Sequence, residues 1–194
     1  TTLFRSSDNS TAQARHEAAY VELNGKFYLM GGRGSRPTQM FDPVAKTWTD
    51  LGNPPVEFHH FQPVVFDNKI FVVGGLIGQY PLETPLSHVY IFDPSINKWY
   101  LGPEIPEARR RGAGGTVVYD SKIYVVGGNT NGHSGGYVKW LDVYDPIANS
   151  WTTKKDAPTE RDHFTAVEIG GKIYAAGGRK TDQPNPFDAE RSEE

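Results

Sequence analysis

Apolar and polar residues alternate along this chain in short runs, and the runs end at glycine, asparagine, aspartate or proline. "HFTAVEI" followed by "KIYAAGG" shows the pattern. A period of two turns one face of an extended strand inward and the other outward. No segment sustains a 3.6-residue period, so helices are not predicted. Each pair of runs is joined by two residues, Asn24-Gly25, Asp67-Asn68, Asp120-Ser121 or Gly170-Gly171. These types adopt positive φ cheaply, as tight hairpin turns require.

The hairpins are copies of one another. "LNGKFYLMGG", "FDNKIFVVGG", "YDSKIYVVGG" and "IGGKIYAAGG" align on double glycines at Gly31-Gly32, Gly74-Gly75, Gly127-Gly128 and Gly177-Gly178. Downstream of the first three stand "FDPVAKTW", "FDPSINKW" and "YDPIANSW", which place Asp42, Asp93 and Asp145 six positions before Trp48, Trp99 and Trp151. A third strand such as "HVYIFD", the Asp-Pro turn and a fourth strand starting at the tryptophan complete a four-stranded unit. A period of about 50 residues predicts a stacked or circular all-β array, with repeats at about 14–55, 56–106, 107–158 and 159–194 of a single domain.

This pattern resembles the kelch repeat, the four-stranded blade of a β-propeller, over nearly the whole chain. The resemblance implies three complete blades and a fourth that is either incomplete or completed by the two chain ends. "TTLFRSS" is similar to "WTTKKDA" after a repeat tryptophan, and "GGRKTDQPNPFDAERSEE" parallels "GGRGSRPTQMFDPVAKTW" without its proline and tryptophan. Four blades is the lower end of the usual range, so a piece of a larger propeller is also expected. Paired glycines then let neighbouring backbone approach, and each tryptophan fills the wedge between blades.

Strand polarity decides where the chemistry gathers. In an antiparallel blade the start of the first strand, the end of the second and the start of the third share one edge. All six histidines, His16, His59, His60, His88, His133 and His163, fall at first-strand starts or in second-to-third loops. So do eight of ten arginines: Arg15, Arg33, Arg36, Arg109, Arg110, Arg111, Arg161 and Arg179. Lys26, Lys69, Lys122 and Lys172 mark the tight turns at the other edge. The expected ligand-binding face therefore comprises Arg15, His16, Arg33, His59, His60, Arg110, Arg111, His133, Arg161 and His163, with guanidinium forks suited to anionic groups. The kelch resemblance implies a rival role for the strand-start arginines, bonding neighbouring loops.

Composition narrows the function. A formal net charge of −3 and a pI near 6.1 disfavour sequence-independent nucleic-acid binding. No apolar stretch reaches the roughly 18 residues of a membrane helix, so no membrane insertion is expected. "RRRGAGG" is followed by a strand hairpin, whereas a phosphate loop needs a helix after its glycines. The chain has no cysteine. That removes the cysteine-linked tyrosine radical of galactose oxidase and glyoxal oxidase, whose propellers the repeats resemble.

No nucleophile elbow or calcium loop is present, and no known ligand spacing accompanies the histidines. Adjacent strand residues point to opposite faces, so only one of His59 and His60 is expected at the axis. No metal, cofactor or catalytic residue is predicted. The expected function is a non-catalytic binding module for a protein or glycan. The alternative is a sugar-modifying enzyme of the sialic-acid mutarotase type, in which Arg111 or Arg161 holds a carboxylate and His163 or Glu57 moves a proton. The first residue is not methionine, so a processed start is expected, and with the resemblance to bacterial propellers this implies a secreted or periplasmic protein. Asn9-Ser10-Thr11 fits a glycosylation sequon.

Overall fold

The computed structural model of the chain describes residues 12–179. The first repeat folds as β1 (Ala18–Leu23), β2 (Lys26–Gly31), β3 (Gln39–Asp42) and β4 (Thr47–Asp50), paired antiparallel in that order. The second supplies β5 (Val64–Phe66) and β6 (Lys69–Val72), then a small hairpin of β7 (Leu76–Ile77) and β8 (Thr84–Pro85). β9 (His88–Asp93) and β10 (Lys98–Glu104) finish its sheet. The third contains β11 (Gly115–Tyr119), β12 (Lys122–Val126), β13 (Leu141–Asp145) and β14 (Ser150–Thr153). β15 (Asp162–Ile169) and β16 (Lys172–Arg179) form the fourth repeat's hairpin. Among the described residues the only helical segments are two single 3-10 turns, Glu107–Arg109 and Gly132–Ser134. Residues that would complete the fourth blade, and the sequon at Asn9, lie outside the described residues.

The tight turns form as their residue types require. Asn24 and Gly25 have φ of 53° and 73°, Asp67 and Asn68 48° and 55°, Asp120 and Ser121 47° and 56°, Gly170 and Gly171 60° and 80°. Positive φ at both positions is the type I′ turn, whose twist matches that of the strands. The Asp-Pro turns rest on the aspartate side chain: Oδ1 of Asp42 accepts the amides of Val44 and Ala45, and Oδ1 of Asp145 those of Ile147 and Ala148. Lys26 pairs with the free oxygen of Asp42, and Lys122 with that of Asp145 at 3.4 Å. The invariant Asp of the repeat is therefore a turn acceptor and the hairpin lysine its counterion.

The core lies between sheets. Leu23, Tyr28 and Met30 of the first blade pack with Phe58, Ile70, Val72 and Phe92 of the second. Val73 and Val89 of the second meet Ile123, Val125 and Tyr144 of the third, and Val117 and Val126 of the third meet Phe164 and Ala166. Each repeat tryptophan stands opposite an aromatic residue on the third strand, Phe41 with Trp48, Phe92 with Trp99 and Tyr144 with Trp151, at ring distances of 5.1, 5.1 and 5.0 Å. Trp99 also reaches Phe58 at 5.6 Å, inside the core between the first two blades. Deleting a ring as enclosed as Phe58 costs about 3 to 5 kcal/mol.

First strands crowd together at the axis. A Cβ on Gly115 would stand 2.5 Å from that of Ala166, so only glycine admits β15 beside β11 there. Gln62, just before β5, joins three blades: its Oε1 accepts the amides of Thr116 and Ala166, and its Nε2 donates to the Ala166 carbonyl at 2.8 Å.

Candidate functional site

One position of the repeat, at the start of each first strand, is left-handed: Glu17, His60, Ala113 and His163 have φ of 59°, 53°, 55° and 55°. Their backbones form a staircase around the axis. His60 N donates to Glu17 O, Ala113 N to His60 O and His163 N to Ala113 O, at 3.1, 2.6 and 2.8 Å. A left-handed residue interrupts the alternation of a strand. His59 and His60 therefore both turn inward, correcting the expectation that only one would, and their Nδ1 atoms lie 2.6 Å apart.

These side chains meet others carried by long loops. Glu83, at the foot of the β7–β8 turn, accepts hydrogen bonds from the amide and Nδ1 of His133 at 3.0 and 2.7 Å and pairs with Arg33. Arg33 also pairs with Glu17, whose Oε1 lies 3.3 Å from Nε2 of His60. Gly132 makes this approach possible, since a Cβ there would meet Glu83 Oε2 at 2.3 Å. The rings of His60, His133 and His163 stand 4.7 to 5.6 Å apart, and Tyr80 lies against His133 at 5.2 Å. Asp162 Oδ2 lies 3.0 Å from Nδ1 of His163 and accepts from Nδ2 of Asn129 at 2.6 Å.

Burial and charge set the protonation of the group. Burial, reinforced by His163, His59 and His133, pushes the His60 imidazole down to about 3, and burial also lowers His59. Burial alone would raise Glu83, but hydrogen bonds from His133 and Arg33 outweigh it and bring the carboxyl down to about 2. Glu83 is ionised between two positively polarised partners, and His59 and His60 are neutral.

The arginines have another task. Arg111 is 3% exposed; it donates to the carbonyls of Gly127 and Val125 at 2.7 and 2.8 Å and to Asp142 Oδ2 at 2.7 Å. Arg15 donates to Gly31 O at 3.1 Å and Pro37 O at 2.7 Å, and Arg161 to Gly177 O at 3.1 Å and Ala175 O at 3.3 Å. At the same repeat position, all three bond the carbonyl of the first glycine of the pair. Arg110 bonds Ile105 O and Glu104. Of the arginines expected on an open ligand-binding face, Arg15, Arg111 and Arg161 are engaged by their own blade and Arg110 by the end of the blade before it, and Arg111 is enclosed. His16 is exposed at the rim, with 72% of its side chain in solvent. His59, His60, His133, His163 and Arg33 do converge, as strand polarity implied.

A family model described as the KLHDC2/KLHL20/DRC7 Kelch-repeats domain matches residues 2–178. The chain belongs to the kelch-repeat family. It is 30% identical over 193 residues to Kelch-like protein terF of Aspergillus terreus, an alignment covering 91% of this chain and 42% of that protein. With Kelch-like protein 35 of Mus musculus it shares 28% identity over 165 residues, 84% of this chain and 27% of that protein. The chain thus spans less than half the length of these relatives. The solved structure titled "Structure of YjhT" superposes with a TM-score of 0.69 at 18% identity, covering 84% of this chain and 59% of that one, a likeness of fold.

Within this kelch framework three site residues escaped sequence reasoning. Glu83 is the single charged residue of "YPLETPLS", where a lone acid is the only hint of a buried partner. Asp142 receives Arg109 and Arg111 from a position that reads simply as the polar face of β13. Gln62 bonds Ala166 across 104 residues of sequence, a distance no local pattern spans. The histidine grouping also departs from the absence of a ligand set expected from spacing, because its members come from three repeats.

Proposed function

We propose that the chain is a non-catalytic kelch binding module that docks a protein partner on its loop-rich end. The observation that carries this reading is the tip between β7 and β8. Tyr80 is 67% exposed and Leu82 84% exposed, on a turn closed by the amide of Leu82 to Gln79 O at 2.7 Å. Directly beside them Glu83 is fixed to Arg33 and His133. An aromatic and an aliphatic side chain held proud of the surface on a rigid loop fit the pocket of a partner, where a few such anchors carry most of the affinity. The curated relatives that bear the name Kelch-like protein are consistent with an interaction role.

The axial cluster gives the sugar-modifying alternative part of what it needs, carboxylates paired with Arg33 and imidazoles against those carboxylates. Those groups are bonded to one another and largely buried, which favours docking over turnover in an open funnel.

The test is selection of a random peptide display library on the wild-type chain beside a glycan array. Apolar-rich peptides should be enriched, and a Tyr80→Ser/Leu82→Ser variant should bind them at least about tenfold more weakly, since each anchor is worth more than about 1 kcal/mol. Peptides held equally well by the variant, or glycan binding with no peptide enrichment, overturn the docking proposal.

A further inference from the structure

We propose that His60, His133 and His163 bind a first-row divalent cation of the Zn2+ type through their ring nitrogens on the propeller axis. Each offers one ring nitrogen, and these three atoms lie within 4.8 Å of one another. Zinc-nitrogen bonds of about 2.1 Å place the ligands of a tetrahedral ion about 3.4 Å apart, so small rotations of partly exposed rings close the site. His133 and His163 retain 19% and 23% of their side-chain exposure, which gives the rings room and the ion a path.

A hydrogen bond orients the His133 ring, and a facing carboxylate the His163 ring, as metal ligands. Nδ1 of His133 donates to Glu83, and Nδ1 of His163 faces Asp162, leaving Nε2 of each to present a lone pair. A carboxylate on the far ring nitrogen is the usual outer partner of a metal-bound histidine. Nε2 of His163 now accepts from Arg179 at 3.2 Å; an ion takes that place, and Arg179 turns to Asp162, whose Oδ1 is 4.0 Å from its Nε.

His60 supplies an independent argument from counting protons. Three close contacts run in series: Gly78 O to His59 Nε2 at 3.0 Å, His59 Nδ1 to His60 Nδ1 at 2.6 Å, and His60 Nε2 to Glu17 Oε1 at 3.3 Å. Each contact needs one hydrogen, and two neutral imidazoles carry two. The carbonyl of Gly78 takes the hydrogen of His59 Nε2, so His60 Nδ1 donates to His59, and His60 Nε2 turns a bare lone pair on a carboxylate. That nitrogen is buried and lacks a hydrogen-bond partner. A buried polar atom without a partner is destabilising, and a cation beside Nε2 removes the mismatch. The surrounding charge suits it, since Glu17, Glu83 and Asp162 outnumber Arg33 and Arg179 by one. Three nitrogens leave a fourth coordination position open for water or an exchangeable ligand.

The experiment uses the chain without a histidine tag, stripped with a chelator and titrated with Zn2+ and Co2+. One ion per chain is expected. The Co2+ form should show visible absorption of a tetrahedral site and three paramagnetically shifted imidazole N–H protons, one per ligand. His133→Gln and His163→Gln, at partly exposed positions and checked by melting without metal, should each lose stoichiometric binding. Glu83→Gln should weaken it about 10 to 100-fold. Binding below one ion per chain, fewer than three shifted imidazole protons, or undiminished stoichiometric binding in both histidine variants would overturn the proposal.

Discussion

At the tight-turn end every tie closes inside its own blade: Lys26 reaches Asp42, Lys69 reaches Asp93, and Lys122 reaches Asp145. At the axial end, beside the arginine clamps within single blades, ties cross from blade to blade. Arg33 of the first meets Glu83 of the second across 50 residues, Glu83 meets His133 of the third across another 50, and Gln62 meets Ala166 of the fourth across 104. One end is a set of independent clasps exposed to water. The other is a buried polar network that includes partners from different blades, so damage there spreads. Binding and metal chemistry are best placed on the second kind of end, where several blades converge on one point.

The largest effect that would sharpen this contrast is expected at Asp142. It takes Arg111 at 2.7 Å and Arg109 at 3.0 Å, and Arg111 and Asp142 are both almost wholly buried. Asp142→Ala leaves the Arg111 guanidinium enclosed without its counterion, a loss of about 3 to 5 kcal/mol. Melting temperature should fall by about 10 °C or more for a chain of this size. A fall of only a degree or two would show that the axial end is no more demanding than the turn end.

Glycines offer the second comparison. Gly128 has φ of 98°, and a Cβ there would lie 2.5 Å from the Gly112 carbonyl, which belongs to the inter-strand bridge with Asn129. Gly25 has φ of 73° in the first tight turn, with nothing within 4 Å of a built Cβ. Gly128→Ala meets both backbone strain and a collision with backbone, and should cost about 3 kcal/mol. Gly25→Ala meets only the strain, about 1 kcal/mol. Chemical denaturation of the two variants measures the difference; equal losses would mean that the axial backbone has room to relax.

The same contrast explains what could be read from the residues alone. The turn pairs Asn24-Gly25 and Gly170-Gly171, the lysine after each and the aspartate of the Asp-Pro turn act within one hairpin or blade, and their positions announced themselves through the repeat. The shared edge for His60, His133 and His163 followed from strand polarity. What was hidden depended on single side chains meeting over long distances. Arg15, Arg111 and Arg161 are chemically suited to grip an anion, the kelch resemblance implied loop bonding as the rival role, and packing shows which carbonyls they take, those of Gly31, Gly127 and Gly177. The left-handed backbone at His60, which sends both neighbouring histidines inward, sits on a non-glycine residue that carries no mark of it. The second repeat departs from the pattern by placing Phe58 where the others have arginine. A fully buried ring there replaces the clamp with apolar packing against Trp99 and Phe61.

The smallest effect is expected at the turn end, from Lys122→Met. The Lys122 side chain is 40% exposed, and its 3.4 Å contact with Asp145 is open to solvent and salt. Asp145 keeps the amides of Ala148 and Ile147 when the lysine is gone, and the Ala148 hydrogen bond is the foremost reason its carboxyl sits below the usual aspartate range. The turn therefore survives, and the melting temperature should drop by about 3 °C or less, a difference that disappears at about 1 M salt, where the Debye length is about 3 Å. The pH response separates the two partners. A lowered folded-state pKa gives stability that is present above the ordinary aspartate value and lost as pH falls through the lowered one. Because the Ala148 amide leads that lowering and Lys122 adds less, acid melting curves of Lys122→Met should move only slightly from the wild-type midpoint, whereas those of Asp145→Ala should lose this component of the acid transition. A large shift in Lys122→Met would place the ion pair, and not the Asp-Pro turn, at the centre of the clasp.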